Sequence, residues 1–324
     1  MKTKLDIIGI GNAMVDVIIP AKKEYIKANG FIRDAMNLIG SNKTKELHDL
    51  YDIKEMIGGG SVGNSMFGIS SLGGNGTFVG KIKNDNIGQF LIKDMNDHGL
   101  RFPLKYTTSK ISTGCCTLFV EEDGTRTMAT FLGAGATISP HDISKKDIEN
   151  HKISYLEGYL WDNDNAKKAI KKMIKISKED GQKIALTLSD QFCVQRHRQS
   201  FNDLISRDID ILFSNKDEIC SLAQTNNLVH AIEYCKNLGI LVAVTTGEKG
   251  SVLISSNKVI EIEAVPVKNV VDLTGAGDLY AAGFLFGLAR DKTLEECGRY
   301  GSLASSEIIS HFGARPLRNL SKLI

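Results

Sequence analysis

What this chain lacks already narrows what it can be. No run of apolar residues approaches the ~18 needed to cross a bilayer, so no membrane role is expected. The apolar stretch that follows Met1-Lys2-Thr3-Lys4 is interrupted by Asp6, Asn12 and Asp16, which denies it the core of a secretory signal. Six cysteines, at 115, 116, 193, 220, 235 and 297, make no C-x-x-C pair, and no histidine cluster has zinc-ligand spacing. They read as the reduced, buried thiols of a cytoplasmic protein. Charge of one sign is scarce as well: a formal net charge of +2 cannot draw a chain onto nucleic acid or anionic lipid. Small molecules are left as the expected partners. There is no internal repeat, low-complexity tract or long charge block.

What is present is ordinary globular material. The 324 residues are 42% hydrophobic and 24% charged, enough to bury a large core without disulfide or metal staples. Short apolar runs at 5–10, 77–79, 153–156, 184–188, 209–213 and 241–245 have the length of buried strands. Helical patterns at 61–72, 166–178, 217–223, 229–238 and 279–289 alternate with them, which argues for an α/β fold with a doubly wound, mostly parallel sheet flanked by helices. Two parts break the alternation. The segments 15–19 with 35–39, and 114–120 with 125–131 around the turn signal Asp123-Gly124, read as two antiparallel pairs forming a small β-sheet lid. The expected division is 1–13, 46–103 and 132–324 for the large unit and 14–45 and 104–131 for the lid. A lid suits an enzyme that must keep water from a transferring group. Its edges leave monomer and homodimer equally open.

The most informative string is Val270-Val271-Asp272-Leu273-Thr274-Gly275-Ala276-Gly277-Asp278. It passes from an apolar strand through small residues into a helical pattern. Amide groups exposed at such a helix start bind anions and can stabilise charge on a transferring phosphoryl group. Asp278 beside them is a candidate base for a hydroxyl proton, kept ionised by the helix N-terminus. The plainer alternative is a tight turn with an aspartate that complements the helix dipole. Rival glycine motifs fail: Gly9-Ile10-Gly11-Asn12-Ala13-Met14 has Met14 in place of the third glycine of a dinucleotide fingerprint, and Gly80-Lys81 lacks the rest of a P-loop.

Nearer the N-terminus, Gly58-Gly59-Gly60-Ser61-Val62-Gly63-Asn64-Ser65 sets three glycines before a helix that carries Asn64 in its first turn. Gly11-Asn12-Ala13-Met14-Val15-Asp16 comes to meet it from the end of the first strand, and Asp16 can accept two hydroxyl hydrogen bonds at once. Together they suit a ligand with vicinal hydroxyls. A buried asparagine and a turn-forming aspartate are the alternatives.

The string 272–278 resembles the D-T-x-G-A-G-D signature of the ribokinase-like kinases, with Leu273 where that family more often has threonine. The resemblance implies that Asp278 is the catalytic base and that Gly275, Ala276 and Gly277 form the anion hole. It further implies ATP as phosphoryl donor, Mg²⁺, and a monovalent cation such as K⁺ near Leu273. Thr245-Thr246-Gly247-Glu248-Lys249-Gly250 is similar to the family's T-x-G-x-x-G turn, placing Thr245, Gly247 and Gly250 by the nucleotide. Asn215-Lys216-Asp217-Glu218 is similar to its N-x-x-E element, in which Asn215 and Glu218 organise Mg²⁺ through water; the same pattern is also a helix capping box. Arg126 resembles the lid arginine that approaches the γ-phosphate, or is a solvated strand residue. Gly313, in Gly313-Ala314-Arg315, resembles the late loop by the adenine and cation sites.

Within that superfamily the G-N-x-x-x-D and G-G-S-x-x-N-S strings resemble those of adenosine kinases. This implies that Asp16, Asn12, Gly59, Gly60 and Asn64 hold the nucleoside ribose and that the reaction phosphorylates the 5'-hydroxyl of adenosine to give AMP. Met36, Phe131 and Leu132 could sandwich a purine, though lid strands also need a buried face. The alternatives are a kinase for a free sugar such as ribose or fructose and a non-catalytic nucleoside-binding regulator.

Overall fold

The computed structural model describes residues 4–33, 35–122, 125–256 and 258–324. Its strands, in chain order, are β1 Leu5–Ile10, β2 Met14–Pro20, β3 Met36–Leu38, β4 Glu55–Gly59, β5 Gly76–Val79, β6 Gly114–Val120, β7 Arg126–Phe131, β8 His151–Glu157, β9 Lys183–Thr187, β10 Ile211–Asn215, β11 Leu241–Thr245, β12 Ser251–Ser255 and β13 Lys258–Ile262. Eight of them form one sheet in the order β13-β12-β11-β10-β9-β8-β1-β5. The six from β5 to β11 in that order are parallel, and β12 and β13 close the far edge antiparallel. The expected α/β architecture is therefore present.

Both faces of this sheet are buried, which is why its strands read as unbroken apolar runs. Successive residues feed opposite cores: Ile7 packs with the helices Ser61–Ser71, Ala276–Leu288 and Leu294–Ile308, while Ile8 packs with Asp164–Glu179, Gln191–Asp208, Lys216–Leu222 and Leu228–Lys236. The chain lays β5 on one side of β1 and then crosses to place β8 on the other. Ligands of doubly wound sheets sit outside the carboxyl ends of the strands at such a reversal, here just beyond Ile10 and Glu157.

Two long helices, Asn86–Asp97 and Gln191–Asp208, escaped the pattern reading. Each begins at an aspartate whose side chain accepts from the amide three residues on, Asp85 from Gly88 and Asp190 from Cys193. The second is polar and departs from helical geometry at His197, where φ is −122°, so its apolar period drifts. A further long helix, Leu294–Ile308, is started by a capping box between Thr293 and Glu296. Val270 and Val271 are not a strand. They are irregular and exposed, and Val271 N donates to Ile309 O at 2.8 Å.

The second sheet has the order β3-β7-β6-β2-β4. β6 and β7 pair antiparallel as anticipated, and the Asp123-Gly124 turn lies outside the described residues. The other expected pair does not form. β2 lies parallel to β6 and antiparallel to β4, and β3 lies parallel to β7. The helix Lys23–Ala28 between β2 and β3 carries the chain away, whereas a hairpin needs a tight turn. β4 belongs to this sheet although it falls within 46–103, a segment assigned above to the large unit.

The faces of the small sheet are unlike. Side chains alternate along a strand, so the register puts Ile19, Phe119 and Ala129 on one face, where they pack with Ile26 and Leu47 of the helices Lys23–Ala28 and Ser41–Leu50. Asp16, Cys116, Leu118, Arg126, Met128 and Met36 share the other face. Phe131 is opposite Cys115, on the helix-covered side, which removes it from any sandwich with Met36.

Candidate active site

Asp278 stands in the first turn of the helix Ala276–Leu288. Gly275 caps that helix in the left-handed region at φ +80°, and a Cβ there would lie 2.7 Å from the Ala314 Cβ. Only glycine suits both the angle and the closeness. Ala276 and Gly277 follow at the surface, and a Cβ on Gly277 would meet nothing, leaving the helix start open. The carboxylate accepts from Ser61 Oγ at 2.6 Å and Asn64 Nδ2 at 2.9 Å, and Ser65 Oγ donates to the Asp278 carbonyl at 2.9 Å. The helix Ser61–Ser71 thus orients it.

A helix N-terminus was expected to keep this acid low. Instead, burial pushes Asp278 up to about 6, against the two side-chain hydrogen bonds and the Arg315 charge that favour the anion. Desolvation outweighs the dipole.

Asp16, on β2, is likewise raised to about 6 by burial, with Arg315 and Arg126 opposing and Asp278 and Asp272 reinforcing the rise. Gly59 lies against its carboxylate: an added Cβ would be 2.5 Å from Asp16 Oδ1. Gly60 caps the helix Ser61–Ser71 at φ +90°. Asn12 and Asn64 are buried beside these acids, and the side-chain oxygen of each lacks a hydrogen-bond partner. The predicted acceptor residues are therefore gathered around one place.

Glu157 was missed. It ends β8, and its Oε1 accepts from Asn12 N at 3.1 Å and Asn12 Nδ2 at 2.7 Å while Oε2 accepts from Val62 N at 3.1 Å. It ties the end of β1 to the start of the helix Ser61–Ser71, and burial lifts it to about 7. The apolar run read over 153–156 stopped one residue short of it. An acid closing a buried strand was the available signal.

At the other end, Asn215 and Thr245 are register partners at the carboxyl ends of β10 and β11. Gly247 and Gly250 take φ +66° and +92° in the turn after Thr245. Asn215 and Glu218 form a complete capping box: Glu218 N donates to Asn215 Oδ1 at 2.9 Å, Asn215 N to Glu218 Oε2 at 3.0 Å, and Asn215 Nδ2 to Glu218 Oε1 at 2.6 Å. Glu218 is buried and raised to about 7, with Asp190 and Asp278 adding to the desolvation. Among the described residues no three His, Cys, Asp or Glu side chains group as metal ligands. With both Glu218 oxygens bonded to Asn215, the pair fits a cation held through water better than direct coordination.

Arg126 is not a solvated strand residue. It is buried, and its Nη1 lies 2.7 Å from Asp272 Oδ2, with its guanidinium 5.0 Å from the Phe312 ring centre. Asp272 also accepts from Thr274 N and Gly313 N, each at 3.0 Å, so it joins β7, the turn before the helix Ala276–Leu288 and the loop at Gly313. Gly313 adopts φ +91° there. Two residues on, Arg315 is buried against the acceptor loop, a position passed over as the tail of the Gly313 string.

No helix among the described residues is long and apolar enough to cross a membrane. The chain's likeness to known proteins is extensive. An adenosine kinase from Sinorhizobium meliloti is 39% identical, with a TM-score of 0.92 and coverage of 99% of this chain and 98% of that one. A probable sugar kinase from Rhizobium etli is 35% identical with the same TM-score and coverage of 99% and 98%. An uncharacterised sugar kinase from Archaeoglobus fulgidus is 27% identical over 256 residues, covering 76% of this chain and 96% of that protein. The family model for pfkB carbohydrate kinases matches residues 32–320. By that match this chain belongs to the pfkB carbohydrate kinase family, ribokinase-like phosphotransferases that act on hydroxyl groups of sugars or nucleosides.

Proposed function

We propose that the protein transfers the γ-phosphoryl group of ATP to the 5'-hydroxyl of adenosine, giving AMP and ADP. The observation that carries the acceptor half is the unpartnered pair Asn12 Oδ1 and Asn64 Oδ1 beside Asp16. A buried acceptor without a donor is costly. Two such acceptors beside the Asp16 carboxylate suit a ligand that brings several hydroxyl donors. Adenosine, rather than a free sugar, is favoured by the 39% identity to the Sinorhizobium meliloti adenosine kinase and by Met36, left 47% exposed on the face that carries Asp16. An apolar surface there suits a base.

In this reading Asp16 and the two asparagines hold the ribose, with Gly59 and Gly60 allowing its close approach. Asp278 accepts the proton of the attacking hydroxyl, its acidity set near neutrality by burial. The amides of Gly275, Ala276 and Gly277 face the developing phosphate charge. Arg126 adds a second cation there by exchanging Asp272 for phosphate oxygens. Thr245, Gly247, Gly250 and Gly313 border the nucleotide. Mg²⁺, when bound, neutralises phosphate charge, with Asn215 and Glu218 holding its water shell.

The sugar kinases among the similar proteins support a second reading, since the hydroxyl-accepting bed makes no demand for a base. Initial rates with ATP and adenosine, ribose or fructose separate the two. Turnover on a free sugar and none on adenosine overturns the nucleoside assignment.

A further inference from the structure

We propose that Arg315 is a positioning residue for phosphoryl transfer, a buried cation that clamps the acceptor loop and sets the pH range over which Asp16 and Asp278 work together. The proposal rests on the reading of Asp278 as base and Asp16 as hydroxyl acceptor.

The geometry centres on one peptide. Arg315 Nε donates to Gly58 O at 2.6 Å, while Gly58 N donates to Asp94 Oδ2 at 3.2 Å from the helix Asn86–Asp97. Gly58 is thereby gripped from both sides. A Cβ there would fall 2.3 Å from Asp94 Oδ2 and 2.4 Å from Arg315 Nη2, so only glycine admits the two charged groups. Arg315 Nη1 reaches Gly63 O at 3.4 Å, and the guanidinium lies over the Phe67 ring, 3.0 Å from its centre. The grip spans the residues that touch the two acids: Gly59 against Asp16, and Ser61 and Asn64 on Asp278.

The ion pair is loose. Arg315 Nη2 is 3.8 Å from Asp94 Oδ2 and lacks a hydrogen-bond partner, so much of its charge remains for other anions. Burying a guanidinium without a tight partner is expensive, and here burial pulls it down to about 9, still charged at neutral pH. Its field is the first influence holding Asp16 ionised against burial, and it acts on Asp278 in the same sense. The other charged groups facing these acids are Arg126 and Asp272 around Asp16, and Glu157 and Glu218, which feel Asp278. Arg315 is the cation common to both acids.

The test compares pH profiles of Arg315→Met, Arg315→Lys and Asp94→Asn, each checked by circular dichroism for a native melt. Arg315→Met moves the acid limb of kcat/KM up by about one pH unit, roughly a tenfold loss at pH 6 that shrinks toward pH 9. Arg315→Lys restores the limb but raises KM, since one ammonium nitrogen does not reproduce the fork by which Nε and Nη1 reach Gly58 O and Gly63 O. Asp94→Asn, which frees more of the Arg315 charge, moves the limb down. The pH dependence of adenosine binding, measured by calorimetry, follows Asp16 and moves with the limb. Limbs and binding profiles that superimpose on the wild type in folded Arg315→Met and Asp94→Asn overturn the proposal. Normal turnover in Asp278→Asn would instead overturn the base assignment, leaving the binding profile to judge Arg315.

Discussion

Asp278 and Asp16 meet in one site with the same acidity, near 6, and they are held there by different means. Asp278 sits in hydrogen bonds from Ser61 and Asn64 that fix both of its oxygens. No side-chain hydrogen bond among the described residues reaches the Asp16 carboxylate, and what offsets its burial is the charge of Arg315 and Arg126. Short, directional contacts suit a group whose oxygen must point at one reacting proton. Long-range compensation leaves an acid's lone pairs unspent, ready for ligand hydroxyls. The two carboxylates should therefore fail differently when removed.

The largest effect is expected for Asp278→Asn. Turnover should fall by about 10²–10⁴, the usual worth of a general base, while adenosine binding by calorimetry stays within a few-fold of wild type. A matching loss of affinity would mean that Asp278 holds substrate rather than a proton. Asp16→Ala should show the converse. Losing two charge-assisted hydrogen bonds of ~1.5–3 kcal/mol each raises the adenosine Kd by about 10²-fold or more, with a smaller fall in kcat. Equal kinetic signatures in the two variants would erase the distinction.

The same contrast explains what could be read from residues alone. Asp278, Asp16 and Asn64 could be singled out as candidates because small residues before a helix and paired hydroxyl acceptors stand in local order; their roles are the ones proposed above. The parallel sheet was legible because strands buried on both faces are uniformly apolar. The order of the small sheet was not, since pairing between β2, β6 and β4 is decided by packing far along the chain. The acidity of Asp278 was also hidden: sequence shows the helix start that lowers it but not the packing whose desolvation raises it. Glu157 and Arg315 lay at the edges of segments already singled out, and only folding brings them beneath the acceptor loop. Arg126 was singled out as a candidate, but its pairing with Asp272 joins two strings that sequence keeps apart.

Acidity gives a smaller effect that still bears on the pair. With both acids required ionised, kcat/KM should fall below about pH 6 with a limb steeper than one proton. A single-proton limb that loses its acid side in Asp16→Asn would assign the profile to Asp16 alone.

The smallest effect lies in stability. Each acid has a folded pKa near 6, above the ~4 of an unfolded aspartate. The folded state therefore binds more protons between those values, and stability is full below about pH 4 and declines as pH rises to about 6. Neutralising either acid should stabilise the ligand-free protein above that window, by on the order of 2 kcal/mol. Asp16→Asn should gain the whole of this, because none of its compensation is a hydrogen bond that asparagine would disturb. Asp278→Asn should gain less, since an amide presents one acceptor where Ser61 and Asn64 need two. Thermal melts at pH 4 and pH 8 read both: an Asp16→Asn gain confined to pH 8, and larger than that of Asp278→Asn, is the expected result, and equal gains would show that the two acids are held in the same way.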